Sequence, residues 1–327
     1  MQRYEKAIIP LLLGGDVNAY SVALAFMDAY GVSSHAYLKR KSSALENSRF
    51  IKTHICSGID DLRIAVPELL RFAAKNSGGE LYLIPCTAHY LHMLLFGGDI
   101  LSSLYNLNLP RKEHFSLLSN KAKLHEILKK ENIPHKEKKR GVENDTRNMV
   151  LTTFSDKLGR VVRAVLGEVI LGEIDGCHSA IITRPLDSFS FMLIDFLDKI
   201  KYCGFSSIDI ISDGDKEYVA KFDFMQGSSC DYLRSAGVNI AELLVKSKRG
   251  ENIPRDFSYK EIYWHYPPHS VVMKYGGDKE RAEHLYKNGY SYTMYRNPYE
   301  GMKRKVYVFL KEKSLSKRFR KGFLKGI

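Results

Sequence analysis

Residues 7–13, AIIPLLL, form an unbroken apolar run that stops at Gly14-Gly15-Asp16. A strand with one wet face alternates polar and apolar residues, so this run fits a strand buried on both faces. Tyr20, Ala23, Leu24 and Met27 then recur at helical spacing until Gly31, and His35–Leu38 begins a second strand. Strand, glycine turn, helix and strand in that order make the βαβ pattern of a parallel sheet covered by helices. Asp61–Ala74 reads as a further helix, Gly78-Gly79 as a turn and Leu81–Pro85 as another buried strand. The first hundred or so residues are therefore expected to form a Rossmann-like layer. The apolar run is too short to span a bilayer and leads into glycines instead of a small-residue cleavage site, so no export signal is readable and a cytoplasmic location is expected.

Further along, the spacing changes. Residues 120–131, NKAKLHEILKKE, set Ala122, Leu124, His125 and Leu128 against lysines and end at Pro134, as a short amphipathic helix does. Lys136 to Arg147 is polar with no apolar period and reads as a mobile linker. Met149–Phe154, the SDKLGR turn, Val161–Leu166, Gly167 and Val169–Leu171 read as a β-meander, and Phe189 to Tyr202 as a helix. Ser207–Ile211 and Tyr218–Phe224 are strands joined by Ser212-Asp213-Gly214-Asp215, a hairpin signal because Asp and Gly tolerate positive φ. The expected class is α/β.

Charge narrows the partners more than the fold. The 327 residues carry 50 Lys+Arg against 37 Asp+Glu, a net +13, with 44% hydrophobic residues. Such a composition excludes a disordered chain, and the excess positive charge favours an anionic partner without choosing among nucleotide phosphates, nucleic acid and acidic lipid. The excess is concentrated: residues 301–327 hold ten Lys/Arg and one acid, Glu312. There Leu315, Phe319, Phe323 and Ile327 recur every four residues among bases, which reads as a basic amphipathic helix broken by Gly322. Docking on the protein's own core, peripheral contact of residues 312–327 with an anionic membrane, and non-specific nucleic-acid binding all remain open, while specific nucleic-acid recognition is not expected. Cys56, Cys86, Cys177, Cys203 and Cys230 contain no C-x-x-C pair, so they read as reduced thiols with neither a zinc nor a redox motif.

The stretch from Gly204 to Leu244 carries the chemistry. Asp209 lies between Ile208 and Ile210, Asp223 between Phe222 and Phe224, so each is a lone acid in an apolar strand. On paired strands both can point to one face. Two carboxylates held together call for a cation, and hard oxygen ligands suit Mg²⁺ bridging phosphates. Two simpler readings stand beside it: Asp223 pairs with Lys221 or Arg234, or the acids face water on an edge strand. His89 and His92, at i,i+3, lack an acid or Cys at ligand spacing and read as surface or core histidines and not as metal ligands, and Trp264-His265 with His269 reads as an aromatic turn engaged in packing.

Three segments resemble the ATP-grasp superfamily, in particular the carboxylate–amine ligases: IIPLLLGGDVNAYSVALAF, HFSLLSNKAKLHEILKKENIP, and the stretch from Gly204 to Leu244 with its trailing QGSS-x-DYLRSAG. The resemblance implies a Rossmann-like pre-grasp domain (1–112), a truncated ATP-grasp α+β domain (113–250) and a C-terminal basic extension (251–327). It implies ATP and Mg²⁺ as cofactors, with small-molecule carboxylate and amine substrates joined through an acyl phosphate. Asp209 falls at the family's acidic metal ligand. The family's next strand reads E-[IL]-N-x-R, and here those positions are Lys221, Phe222, Asp223, Phe224 and Met225. The Glu has become Lys, the Asn has become Asp, and the Arg is gone. Lys121 matches a position that approaches phosphate, although a solvated helix residue explains it equally well, and Gly227-Ser228-Ser229 is expected near the reacting carboxylate. Only residues 135–149 fill the interval where the family carries a whole nucleotide-clamping lobe. Two functions follow: a ligase with Asp209 and Asp223 on magnesium and Lys121 and Lys221 on phosphates, or a degraded homologue that binds a ligand or a membrane without ATP chemistry.

Overall fold

The structure, a computed structural model, describes residues 6–136, 146–174, 177–214, 216–227 and 229–323. The chain begins β1 (Ile8–Leu13), α1 (Val17–Tyr30), β2 (Ser34–Leu38), β3 (Ile51–Ile55), α2 (Leu62–Lys75), β4 (Glu80–Pro85), α3 (Ala88–Gly97) and β5 (Asn106–Leu107). These strands form one parallel sheet in the order β3-β2-β1-β4-β5. Leu11, Leu12 and Leu13 are fully buried, as a strand with helices on both faces requires. Asp16 caps α1 by accepting from the Ala19 N–H, and Gly31 ends it at φ 64°, a left-handed conformation that glycine adopts without strain.

Helices α4 (Lys112–Leu118) and α5 (Lys121–Lys130) lead to the second sheet. Its elements are β6 (Thr146–Ser155), β7 (Val161–Ile174), β8 (Cys177–Arg184), α6 (Ser188–Lys199), β9 (Gly204–Asp213), β10 (Lys216–Asp223), α7 (Asp231–Ser235) and α8 (Ile240–Arg249). Then come β11 (Tyr263–His265), α9 (His269–Tyr275), α10 (Lys279–Lys287), β12 (Ser291–Tyr292) and α11 (Met302–Phe323). Seven strands line up as β10-β9-β6-β7-β8-β11-β12, so residues 251–327 contribute two of them. One face buries Leu151, Ile208, Ile210 and Phe222 against Leu193, Ile194 and Leu197 of α6 and Leu128 of α5. The other presents Phe154, Phe205 and Val162 to α1, α7 and α8, which makes the two layers one continuous core.

Two expectations change. Gly167 does not divide the meander: β7 runs straight through it, because a Cβ there would stand 2.6 Å from Ile181 Cγ2, so the glycine serves close packing and not a turn. Nor does Gly322 break the last helix, which continues to Phe323. One helical glycine costs only about 1 kcal/mol relative to alanine. Most of the expected linker, residues 137–145, lies outside the described residues, as do 324–327. Its flanks are placed: Lys136 Nζ reaches Asp213 Oδ2 at 2.9 Å, and Thr146 pairs with Asp213 across β6–β9. Both ends of the interval therefore stand at the tip of the β9–β10 hairpin.

Candidate functional site

Register builds the site. In an antiparallel sheet directly opposed residues share a face. Val150 and Thr152 of β6 oppose Asp209 and Ser207 of β9. On the other side of β9, Lys221 opposes Asp209 and Asp223 opposes Ser207. A bulge between Val219 and Lys221 sets this alignment and aims Lys221 and Asp223 to the acid face. Further down the same face Phe154 opposes Phe205, and the surface is apolar where α1 and α8 cover it. It turns polar toward Thr152, Ser207 and Asp209.

A cavity of about 160 Å³ opens there, with Asp209, Lys221, Asp223, Gly227 and Ser229 in its wall beside His178, Gln226 and Tyr232. The expected residues thus converge, with two exceptions. Lys121 is the first residue of α5, exposed, and not in the cavity wall. Ser228 lies outside the described residues. His89 and His92 are exposed on α3, and among the described residues no three ligand-type side chains converge on a metal position.

The electrostatics decide what this wall can hold. Lys221 Nζ lies 2.7 Å from Asp223 Oδ2, and His178 Nε2 lies 3.5 Å from Asp209 Oδ1. Each carboxylate therefore has a nitrogen of the chain beside it. Mg²⁺ demands oxygen ligands in near-octahedral array. An ammonium within hydrogen-bond distance of one of the two carboxylates repels a dication from that place, so the donor set as arranged does not fit Mg²⁺. The simpler pairing of Asp223 with Lys221 is the one formed, while Arg234 turns to Asp231 and Asp28.

The wall is held from behind by buried polar contacts. Asn18 of α1 donates to the Cys86 carbonyl at 2.8 Å, and its Oδ1 accepts from Gln226 Nε2 at 3.1 Å and Cys230 Sγ at 3.3 Å. The Tyr232 hydroxyl donates to Thr152 Oγ1 at 2.9 Å. Asp231, buried, accepts from Arg234 Nε and from the Trp264 indole N–H, both at 2.9 Å; Trp264 is fully buried and so packs as expected, but within strand β11 and not on a turn. Gly227, at φ 73°, forms the bend over Ser207. His178 carried no signal in the sequence, since it meets Asp209 only across strands distant in the chain, whereas Gln226 belongs to the QGSS run that follows the second acid.

This architecture, a parallel α/β layer followed by an α+β sheet, is the fold seen in biotin carboxylase ATP-grasp domains. Among solved structures, the chain is similar to the biotin carboxylase domain of the Hydrogenobacter thermophilus 2-oxoglutarate carboxylase, in complex with MgADP, ADP and bicarbonate (TM-score 0.59, 12% identity, 80% of this chain and 74% of that one). It is likewise similar to the biotin carboxylase subunit of pyruvate carboxylase (TM-score 0.57, 13% identity, 78% and 73% covered). In sequence it is 25% identical over 130 residues to the D-aspartate ligase of Enterococcus faecium (strain Aus0004). That match takes in 39% of this chain and 31% of the ligase, so it spans about a third of the relative's length. No protein-family model matches the chain. No helix of the described residues is long and apolar enough to cross a membrane.

Proposed function

We propose that this chain uses an ATP-grasp scaffold to bind a small amino-acid-like carboxylate and does so without Mg·ATP-dependent acyl phosphorylation. The observation that carries the reading is the Lys221–Asp223 contact at 2.7 Å, an internal cation beside the carboxylates. Volume agrees with it. Pockets for drug-sized ligands run from about 300 Å³ upward, whereas the cavity here is about 160 Å³. Its wall offers both signs of charge, so a zwitterion can set its carboxylate on Lys221 and its ammonium on Asp209. Thr152 and Ser207 supply neutral hydroxyls alongside.

A ligase that joins a carboxylate to an amine with ATP and Mg²⁺ is the second reading. It is favoured by the convergence of Asp209, Asp223, Gly227 and Ser229 in one wall, together with the similarity to D-aspartate ligase. Two measurements separate them. Thermal denaturation against a panel of D- and L-amino acids should show stabilisation by members of the panel, since a ligand that binds only the folded state raises Tm by mass action. Calorimetry with Mg²⁺ and a non-hydrolysable ATP analogue should show no binding at millimolar concentration. Phosphate release from Mg·ATP that requires both a carboxylate and an amine would overturn the proposal in favour of the ligase.

A further inference from the structure

The last helix has two faces with different tasks. At 1.5 Å per residue α11 is about 33 Å long. Its inner face is anchored: Arg304, 1% exposed, donates through Nη1 to the Glu46 carbonyl at 2.5 Å and through Nη2 to the Ala44 carbonyl at 2.6 Å. Val308 is buried on the next turn of the same side. The outer face is apolar and exposed. Met302 is 74% exposed, Val306 53%, Phe309 56% and Leu310 59%, and the spacing i, i+4, i+7, i+8 lines them up as one stripe. Lys303, Lys305 and Lys317 are exposed beside it, and residues 301–327 hold ten bases against Glu312.

A stripe of four large apolar side chains in water is unfavourable, so it marks a contact surface. Its surroundings say what kind. A second copy would bring an equally basic helix against this one, and like charges oppose that pairing. A nucleic acid would satisfy the lysines and leave the apolar stripe wet. A surface that is anionic in its outermost layer and apolar just beneath satisfies both. We infer that α11 lies along an anionic membrane surface, with Met302, Val306, Phe309 and Leu310 inserted at the headgroup–acyl boundary and the flanking bases on acidic headgroups. The contact is thereby moved upstream of residues 312–327, onto a segment that the Arg304 anchor holds at a fixed angle to the body. The membrane contact does not depend on what the cavity binds.

The full chain is titrated with phosphatidylcholine vesicles with and without about 30 mol% phosphatidylglycerol, in low and high salt. Binding to the anionic vesicles should be roughly tenfold tighter or more and should weaken with salt. A double variant, Phe309→Ser with Leu310→Ser, alters only exposed side chains and should lower that binding about tenfold or more, with its thermal midpoint unchanged. Failure to bind anionic vesicles, equal binding to neutral ones, or binding unaffected by the double variant overturns the inference. So does a wild-type dimer in sedimentation velocity that the double variant dissociates, because the stripe would then belong to a second copy.

Discussion

Lys221→Glu tests the central electrostatic argument directly. The side chain is 59% exposed and pairs with Asp223, itself 38% exposed, so the substitution leaves the packed core intact. It exchanges a positive for a negative charge, a change of two units next to Asp209 and Asp223. For a dication about 5 Å away in a water-like dielectric, each unit contributes about 1.7 kcal/mol, giving about 3 kcal/mol in total. This corresponds to roughly two orders of magnitude in Kd. Mn²⁺, as a paramagnetic substitute for Mg²⁺, can be titrated into wild type, Lys221→Glu and the neutral control Lys221→Met by electron paramagnetic resonance. Weak or absent binding in wild type, an intermediate effect for the Met variant and clear binding for the Glu variant are expected. Wild-type affinity equal to that of the Glu variant would show that Lys221 does not exclude the ion, and the reasoning from the 2.7 Å contact would fail.

Three further outcomes follow from the same structure. Burial, partly offset by the hydrogen bond to the Pro267 carbonyl, lowers the pKa of His265 from 6.5 to about 4. Since the unfolded chain takes up that proton first, stability is whole above about pH 6.5 and declines toward pH 4, by about 3 kcal/mol. Urea unfolding at pH 7 and 4.5 should show this loss, and His265→Asn should remove that share. Arg304→Leu leaves buried Glu300, 4.0 Å from the guanidinium, and two carbonyls without their partner, so denaturant unfolding should register a loss of about 3–5 kcal/mol. Gly227→Ala forces a side chain onto φ 73° with its Cβ 3.2 Å from Ser207 Oγ. It should cost about 1–2 kcal/mol by thermal unfolding and weaken stabilisation by amino acids.

The sequence shows most clearly what is local. AIIPLLL followed by two glycines and an amphipathic helix gives β1 and α1 because a run without polar residues has one way to satisfy both itself and a parallel sheet. Asp209 and Asp223 were recognisable because an acid among Ile and Phe is conspicuous. The contact between Asp223 and Lys221 was open beside the metal, and the bulge that brings Lys221 opposite Asp209 is a matter of register, which no period in the sequence reports. His178 and Asn18 reach the site from β8 and α1, elements distant in sequence from the hairpin. In the tail, the side chains of the row at 315, 319 and 323 lie outside the described residues, and the exposed apolar stripe among the described ones sits upstream at 302–310. Periodicity marks an amphipathic helix without saying which of its faces the body already covers.

The anchoring of α11 reaches back to the first elements of the chain. Glu300 accepts from the Tyr20 hydroxyl at 2.9 Å and from the Arg49 amide at 3.1 Å, Tyr299 donates to Asp28 at 2.8 Å, and Arg304 holds the carbonyls of Ala44 and Glu46. On the ribosome, domains fold in order of synthesis, beginning at the N-terminus. Here the N-terminal layer emerges first and is completed last, since α1 and the residue 44–49 loop wait for partners made more than 250 positions later. A nascent chain stalled before Tyr299 would therefore hold a loosely packed first layer, and release of the final helix would be the event that closes it.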